Sequence, residues 1–243
     1  LRVFRRVYGD GHGTVAETLQ NIGSVLCKQG LHDRAMAKYE EAHEMYRRLY
    51  GDDHEKVAVV LGNMAGVLSR QGKHAEALAM EEKALGIKRR TLGSDHDDIA
   101  HSLLNLGELY RGQGMLVEAL GMLEEGLGMV RRLHPERNSL EGQFLKSIGD
   151  VYGEQGRLED ALGMFKKAHR IFRKTLGAES ADVGRVTLNI AMSLAFQGKG
   201  DEAAEECEEG VGILRRALGG EHEEVALALY NLAVCKNNGG DTQ

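Results

Sequence analysis

Proline is almost missing from this chain. One proline in 243 residues, where about 5% is usual, excludes collagen even though 32 glycines are present, because those glycines have no three-residue period. Cysteine is scarce and odd in number. Cys27, Cys207 and Cys235 match the spacing of neither a zinc site nor a disulfide framework. They read as free thiols packed as small hydrophobes in a reducing compartment, so a cytoplasmic setting is expected. A basic excess is also lacking. The 31 Lys and Arg stand against 37 Asp and Glu, a net charge of −6, which makes nucleic acid a poor partner. No apolar run reaches the ~18 residues of a membrane span, and residues 1–8 contain no apolar segment of a secretory signal. There is no initiator methionine, so the chain is expected to be a piece of something longer. What it does have is 42% apolar and 28% charged residues, a balance that supports a packed core and argues against disorder.

The chain repeats itself every 42 residues. Gln-Gly recurs at Gln29-Gly30, Gln71-Gly72, Gln113-Gly114, Gln155-Gly156 and Gln197-Gly198. A second series runs Asn21, Asn63, Asn105, Ser147, Asn189 and Asn231, and a third consists of basic pairs such as Arg47-Arg48 and Arg89-Arg90. Three independent series in one register exclude chance, and such a period points to a stack of identical small units.

Inside each unit the apolar period is helical. Leu61, Met64, Ala65 and Leu68 stand at i, i+3, i+4 and i+7 and predict a first helix, A, over 55–71. Gln-Gly ends it, glycine being suited to the left-handed position past a helix. Ala77, Ala84 and Ile87 mark a second helix, B, over 74–92, which ends at Gly93 and its equivalents Gly51, Gly177 and Gly219. Pro135 holds that place in the fourth unit. Small residues at fixed places, such as Gly23, Ala65 and Gly149 in A and Ala35, Ala77 and Ala161 in B, should mark where helix backbones cross closely. The arrangement predicted is a stack of antiparallel helix pairs.

These residues resemble the tetratricopeptide repeat (TPR). Ile22-Gly23, Leu26, Gly30, Ala35, Tyr39 and Ala42 follow its signature throughout. The longer unit and the connector Leu92-Gly93-Ser94-Asp95-His96 are similar to the kinesin light chain subtype, with related arrays in nephrocystin-like proteins and behind signalling NTPase modules. The resemblance implies an all-α fold, a right-handed α-α superhelix (solenoid) of 42-residue helical hairpins. Its units are a partial helix B over 1–12, repeats over 13–54, 55–96, 97–138, 139–180 and 181–222, and a partial repeat, helix A only, over 223–243, together a single solenoid. Departures are Glu81 and Cys207 in place of the helix B aromatic, Ser147 in place of asparagine, residues 135–138 in place of the usual connector, and Lys236 on an apolar position.

The resemblance places the asparagines on a concave groove. There Asn21, Asn63, Asn105, Asn189 and Asn231 would hydrogen-bond the backbone of an extended peptide; the alternative is a bond to the neighbouring helix. Variable residues on the same face would select side chains: Lys28, Arg70, His101, Glu108, Arg111, Lys146, Asp150, Arg185 and Met192, with Gly62 and Gly66 among the small ones. A Lys/Asn/Arg clamp for a terminal carboxylate is not expected, since Gln20 and Ser24 occupy its places.

The basic pairs lie in the last turns of helix B, where cations offset the helix dipole, and a solvated face is expected rather than an anion ladder. His12, His54, His96 and His222 also recur in register, with Asn138 and Ser180 in the two intervening places. One histidine per unit does not complete a zinc site, so capping at the start of helix A is the expected role. The stretch 9–13 reads as a turn rather than a phosphate loop, and no catalytic motif is present. The expectation is therefore a non-catalytic scaffold, without cofactor or metal, whose groove binds an extended peptide or helix of a partner protein in the manner of an adaptor. Two alternatives stay open: a ligand-sensing repeat domain of a larger NTPase-type receptor, and an array that self-associates through exposed end helices.

Overall fold

The computed structural model describes residues 1–9, 11–136 and 138–240, the last four by backbone alone. Asp10 and Arg137, which the sequence places in the first and fourth connectors, and residues 241–243 of the last partial repeat lie outside the described residues. The described residues form twelve helices and no strand. They are α1 (Arg2–Tyr8), α2 (Gly13–Lys28), α3 (His32–Tyr50), α4 (Glu55–Arg70), α5 (His74–Leu92), α6 (Asp97–Gly112), α7 (Leu116–Leu133), α8 (Ser139–Glu154), α9 (Leu158–Leu176), α10 (Ala181–Phe196), α11 (Gly200–Leu218) and α12 (Glu223–Gly240). The A helix predicted over 55–71 is α4 and the B helix predicted over 74–92 is α5, so the all-helical repeat fold read from the sequence is the one observed.

Local chemistry sets the helix boundaries. Past each A helix the turn glycine, Gly30, Gly72, Gly114, Gly156 or Gly198, has φ between 74° and 77°, a conformation open to glycine and strained for other residues. The next residue then donates its N–H back five residues, as Leu31 does to Leu26 O at 3.0 Å and Lys73 to Leu68 O at 2.9 Å. Gly30 N–H also bonds Cys27 O at 3.1 Å. Together these bonds form a Schellman motif that satisfies the last carbonyls of the helix.

At the other end, the A helices are capped by the histidine series. Nδ1 of His12, His54, His96 and His222 accepts from the backbone N–H of Thr14, Lys56, Asp98 and Glu224 at 3.1–3.2 Å. Where histidine is replaced, Asn138 Oδ1 accepts from Glu141 N–H at 2.9 Å and Ser180 Oγ from Val183 N–H at 3.4 Å. The series that looks broken in sequence is thus unbroken in chemistry.

The helices gather into two compact units, Leu1–Met122 and Leu123–Gln243, divided within α7. In the first unit α2 pairs with α3 and α4 with α5, while α3 meets α4 and α5 meets α6. Its core is built by Leu19, Tyr39, Tyr46, Val57, Leu61 and Ile87, all buried. In the second unit α8 pairs with α9 and α10 with α11, and α9 meets α10 and α11 meets α12. Phe144, Phe165, Phe172, Val186 and Leu214 fill that core. Burying a side chain of this size contributes about 1.5–3 kcal/mol. The small residues stand at helix crossings, as predicted. A Cβ on Gly23 would lie 2.7 Å from the Tyr39 ring and one on Gly149 would lie 2.6 Å from the Phe165 ring.

Candidate functional site

One register position of helix B controls how the interior fills. Tyr39, Glu81, Leu123, Phe165 and Cys207 occupy it, all buried. Where a ring is present, it packs on the glycine of the A helix before it, and the Tyr39 hydroxyl meets Ser24 Oγ at 3.0 Å. In the second repeat the thinner Glu81 faces Ala65, and the volume of the missing ring remains open. A cavity of about 350 Å³ lies between α4, α5 and α6, lined by Ala65, Gly66, Ser69, Glu81, Asn105 and Leu109. Arg70, His74, Glu108 and Arg111 complete its wall. Four residues singled out from sequence, Arg70, Asn105, Glu108 and Arg111, therefore meet around one cavity.

Glu81 is the chemical centre of this cavity. It is 1% exposed. Its Oε1 accepts a long hydrogen bond from Asn105 Nδ2, 3.5 Å, while Oε2 is buried without a partner. A Cβ on Gly62, one of the groove positions on α4, would stand 3.3 Å from Oε2. On the wall, Arg111 is held by Glu108 at 2.7 Å. Arg70 Nη1 donates to Cys27 Sγ at 2.9 Å, a weak acceptor. Near the same wall, Tyr110 donates to Glu82 at 2.6 Å, and that hydrogen bond, with burial and the charge of Glu82 adding to it, pushes the phenol up to about 12. Sequence analysis marked Glu81 only as a departure from the aromatic pattern. The signal that could have found it was a carboxylate in an otherwise apolar series.

Elsewhere on the A helices the predicted face is partly cross-linked within itself. In the second unit Lys146 and Asp150 pair at 2.7 Å, and Asn189 Nδ2 donates to Asp150 at 3.0 Å. The neighbour bonding weighed for the asparagines thus occurs at Asn189, toward α8, and at Asn105, toward α5, each time through one amide N–H. Arg185 donates to Glu224 of α12 at 2.7 and 3.0 Å and to Asp182 at 2.9 Å. The hydrogen bond to Arg185 holds the Glu224 carboxyl below its usual range. Asn63, Asn231 and Met192 are half-buried, and Asn21, Lys28 and His101 are exposed.

The basic pairs end helices α3, α5 and α11 as expected, and carboxylates of the connectors answer several of them. Arg47 pairs with Asp52, Arg90 with Asp53 and Arg216 with Glu179. No described helix is long and apolar enough to cross a membrane. Among the described residues no group of three or more His, Cys, Asp and Glu is placed to hold a metal ion.

Comparison with known proteins follows this geometry. One tetratricopeptide repeat profile matches residues 1–47, 14–90 and 82–132, and a second matches 145–182 and 185–224. No curated protein matches the sequence. Among solved structures, the chain is similar to BtubC (BKLC) from P. vanneervenii, with a TM-score of 0.74 and 21% identity over 86% of this chain and 83% of that one. It is also similar to the nearly identical TPR-like repeats of a Podosopora anserina protein assigned as a kinesin light chain, with a TM-score of 0.69 and 18% identity over 84% and 97%. A third is the Rap conjugation gene regulator of plasmid pLS20 in complex with the Phr* peptide, with a TM-score of 0.72 and 18% identity over 88% of this chain and 57% of that one.

Proposed function

We propose, for a chain that belongs to the tetratricopeptide repeat family, a non-catalytic role: the A helices present a peptide-binding groove to an extended segment of a partner protein. The observation that carries this reading is the cavity between α4, α5 and α6, where Asn105, Arg70, Glu108 and Arg111 converge beside backbone left bare by Gly66. An amide in such a row supplies both donor and acceptor to a peptide backbone, which gives affinity with little sequence preference. The walls then choose side chains. Peptide recognition by a similar repeat array, the Rap regulator with its Phr* peptide, supports the same use of the fold. The finer reading is an adaptor of the kinesin light chain type, supported by the Leu-Gly-x-Asp-His connector and by the likeness to kinesin light chain repeats. The free thiols Cys207 and Cys235, in contact without a disulfide, suit a reducing, cytoplasmic setting.

The test is the triple variant Asn63→Ala, Asn105→Ala and Asn189→Ala. Peptides captured by the unaltered chain from a peptide array should lose about ten-fold or more in affinity, as expected for several lost hydrogen bonds. Unchanged affinity at unchanged helicity overturns the groove reading. A second reading, association through end helices, is favoured by Leu227 and Tyr230 of α12, 62% and 67% exposed, and by Val3 and Val7 of α1, 71% and 65% exposed. Light scattering that stays monomeric across a wide concentration range removes it.

A further inference from the structure

We infer that the cavity over Glu81 is a specificity pocket for a cationic side chain, lysine or arginine, on the partner peptide. The inference rests on the groove reading and adds the chemical class of the residue the groove selects.

Helix α5 carries two ionisable side chains into the core. Glu81 and Lys88 stand seven residues apart and replace the Tyr39 and Tyr46 of the preceding repeat. Both are buried, at 1% and 8% exposure. Lys88 is held by the fold, since its Nζ donates to Ser102 Oγ at 2.7 Å and to Asp98 O at 3.3 Å. Glu81 is not. Its Oε2 has no donor, and its Oε1 has only the 3.5 Å contact from Asn105. Burying a carboxylate oxygen without a partner is costly. An apolar residue fits this position elsewhere, with Phe165 4% exposed.

Glu81 lines the cavity, and its unpartnered Oε2 is covered on the α4 side, beside Gly62. The cavity of about 350 Å³ admits a side chain entering from the A-helix face. Its inner wall is Ala65, Leu109 and glycine, a sleeve for a methylene stem, with the carboxylate at its floor. A lysine or arginine would lay its methylene stem along these residues and carry its charged end in to the carboxylate. The positive charges nearby are placed differently. Arg111 is engaged by Glu108, and Arg70 is exposed and directed to Cys27. A full positive charge offsets the buried negative one better than a neutral donor does, because it adds a Coulombic attraction, stronger away from water, to the hydrogen bond.

The experiment uses the full chain and capped heptapeptides of glycine, serine and alanine with one central residue, varied among Arg, Lys, Gln, Glu and norleucine. Calorimetry or NMR titration reads the affinities at millimolar peptide. The unaltered chain should bind the Arg or Lys peptide about ten-fold or more tightly than the Gln, Glu and norleucine peptides. Glu81→Gln keeps the shape and should erase the preference. Glu81→Leu removes the charge without setting a ring against Ala65, and leucine holds this register at Leu123, so it should raise the melting temperature and also abolish the preference. A preference unchanged in Glu81→Gln, or no preference in the unaltered chain, or no binding of any peptide, overturns the pocket. Those outcomes are separable from failure of the groove reading. A groove without the pocket still loses affinity in the triple asparagine variant, whereas loss of neither effect removes both readings.

Discussion

A helix cap depends on one acceptor atom, and here histidine supplies it in four places, asparagine and serine in two others. His54 also stacks on Tyr50 with ring centroids 4.4 Å apart. His54→Ala should therefore cost about 0.5–2 kcal/mol, read from urea denaturation, while His54→Asn, which copies the cap at Asn138, should cost less than half of that. Two other histidines are set against protons. Burial is the main cause that lowers the pKa of His43 below the ordinary 6.5, with Arg47 and Lys83 adding to it and Asp52 and Glu44 opposing. Burial, then Arg173, does the same to His169 against Glu209. A folded-state pKa below the unfolded one means that the unfolded chain takes the proton first. The contribution of these residues to stability is present above about pH 6.5 and is lost as pH falls through their folded-state values. Melting temperature should thus drop from about pH 7.5 to about pH 5.5, and the double variant His43→Gln, His169→Gln should flatten that slope. An equal slope in both proteins refutes the assignment.

At the level of paired helices, the contact between A and B is set by a ring against a glycine. Tyr39 faces Gly23 and Phe165 faces Gly149, while Glu81 and Cys207 stand in register with Ala65 and Ala191. Gly149→Ala would bring a Cβ to 2.6 Å from the Phe165 ring, and overpacking of this kind costs about 1–3 kcal/mol. Adding Phe165→Leu should recover part of the loss, because the smaller side chain makes room. Failure of the second change to compensate would show that the strain lies elsewhere. The α11–α12 contact is made differently, by Cys207 and Cys235 with sulfurs 3.5 Å apart. Burial, followed by the hydrogen bond shared with Cys235, pushes the Cys207 thiol up to about 12. Alkylation requires the thiolate. Iodoacetamide at about pH 8 should therefore modify half-buried Cys27 first and reach the other two only as the chain unfolds.

Over the whole molecule, the periodic part of the structure was legible in the sequence and the single exceptions were not. Period 42 gave every helix from α2 to α12 to within a residue or two, because apolar spacing and turn glycines repeat without insertion. The Schellman turns and the histidine caps were readable for the same reason: each rests on atoms a few residues apart. The cavity over Glu81 was not readable, since it depends on how the side chains of three successive helices pack, which apolar spacing does not state. The ion pair of Arg185 with Glu224, 39 residues on, was hidden likewise. This locality has a consequence for stability. Within each unit helices touch mainly their chain neighbours, and stability in such arrays is close to a sum of repeat and nearest-neighbour terms. Protection should then follow burial helix by helix. α1 holds no buried residue, whereas α4 buries Val57, Ala58, Val60, Leu61, Met64, Ala65, Val67 and Leu68. Hydrogen exchange read by mass spectrometry should find α1 exchanging fastest and α4, α8 and α10 slowest, with opening free energies that differ between helices rather than one global value. A uniform profile across all helices would mean that the chain opens as one cooperative block, and that its stability is not assembled repeat by repeat.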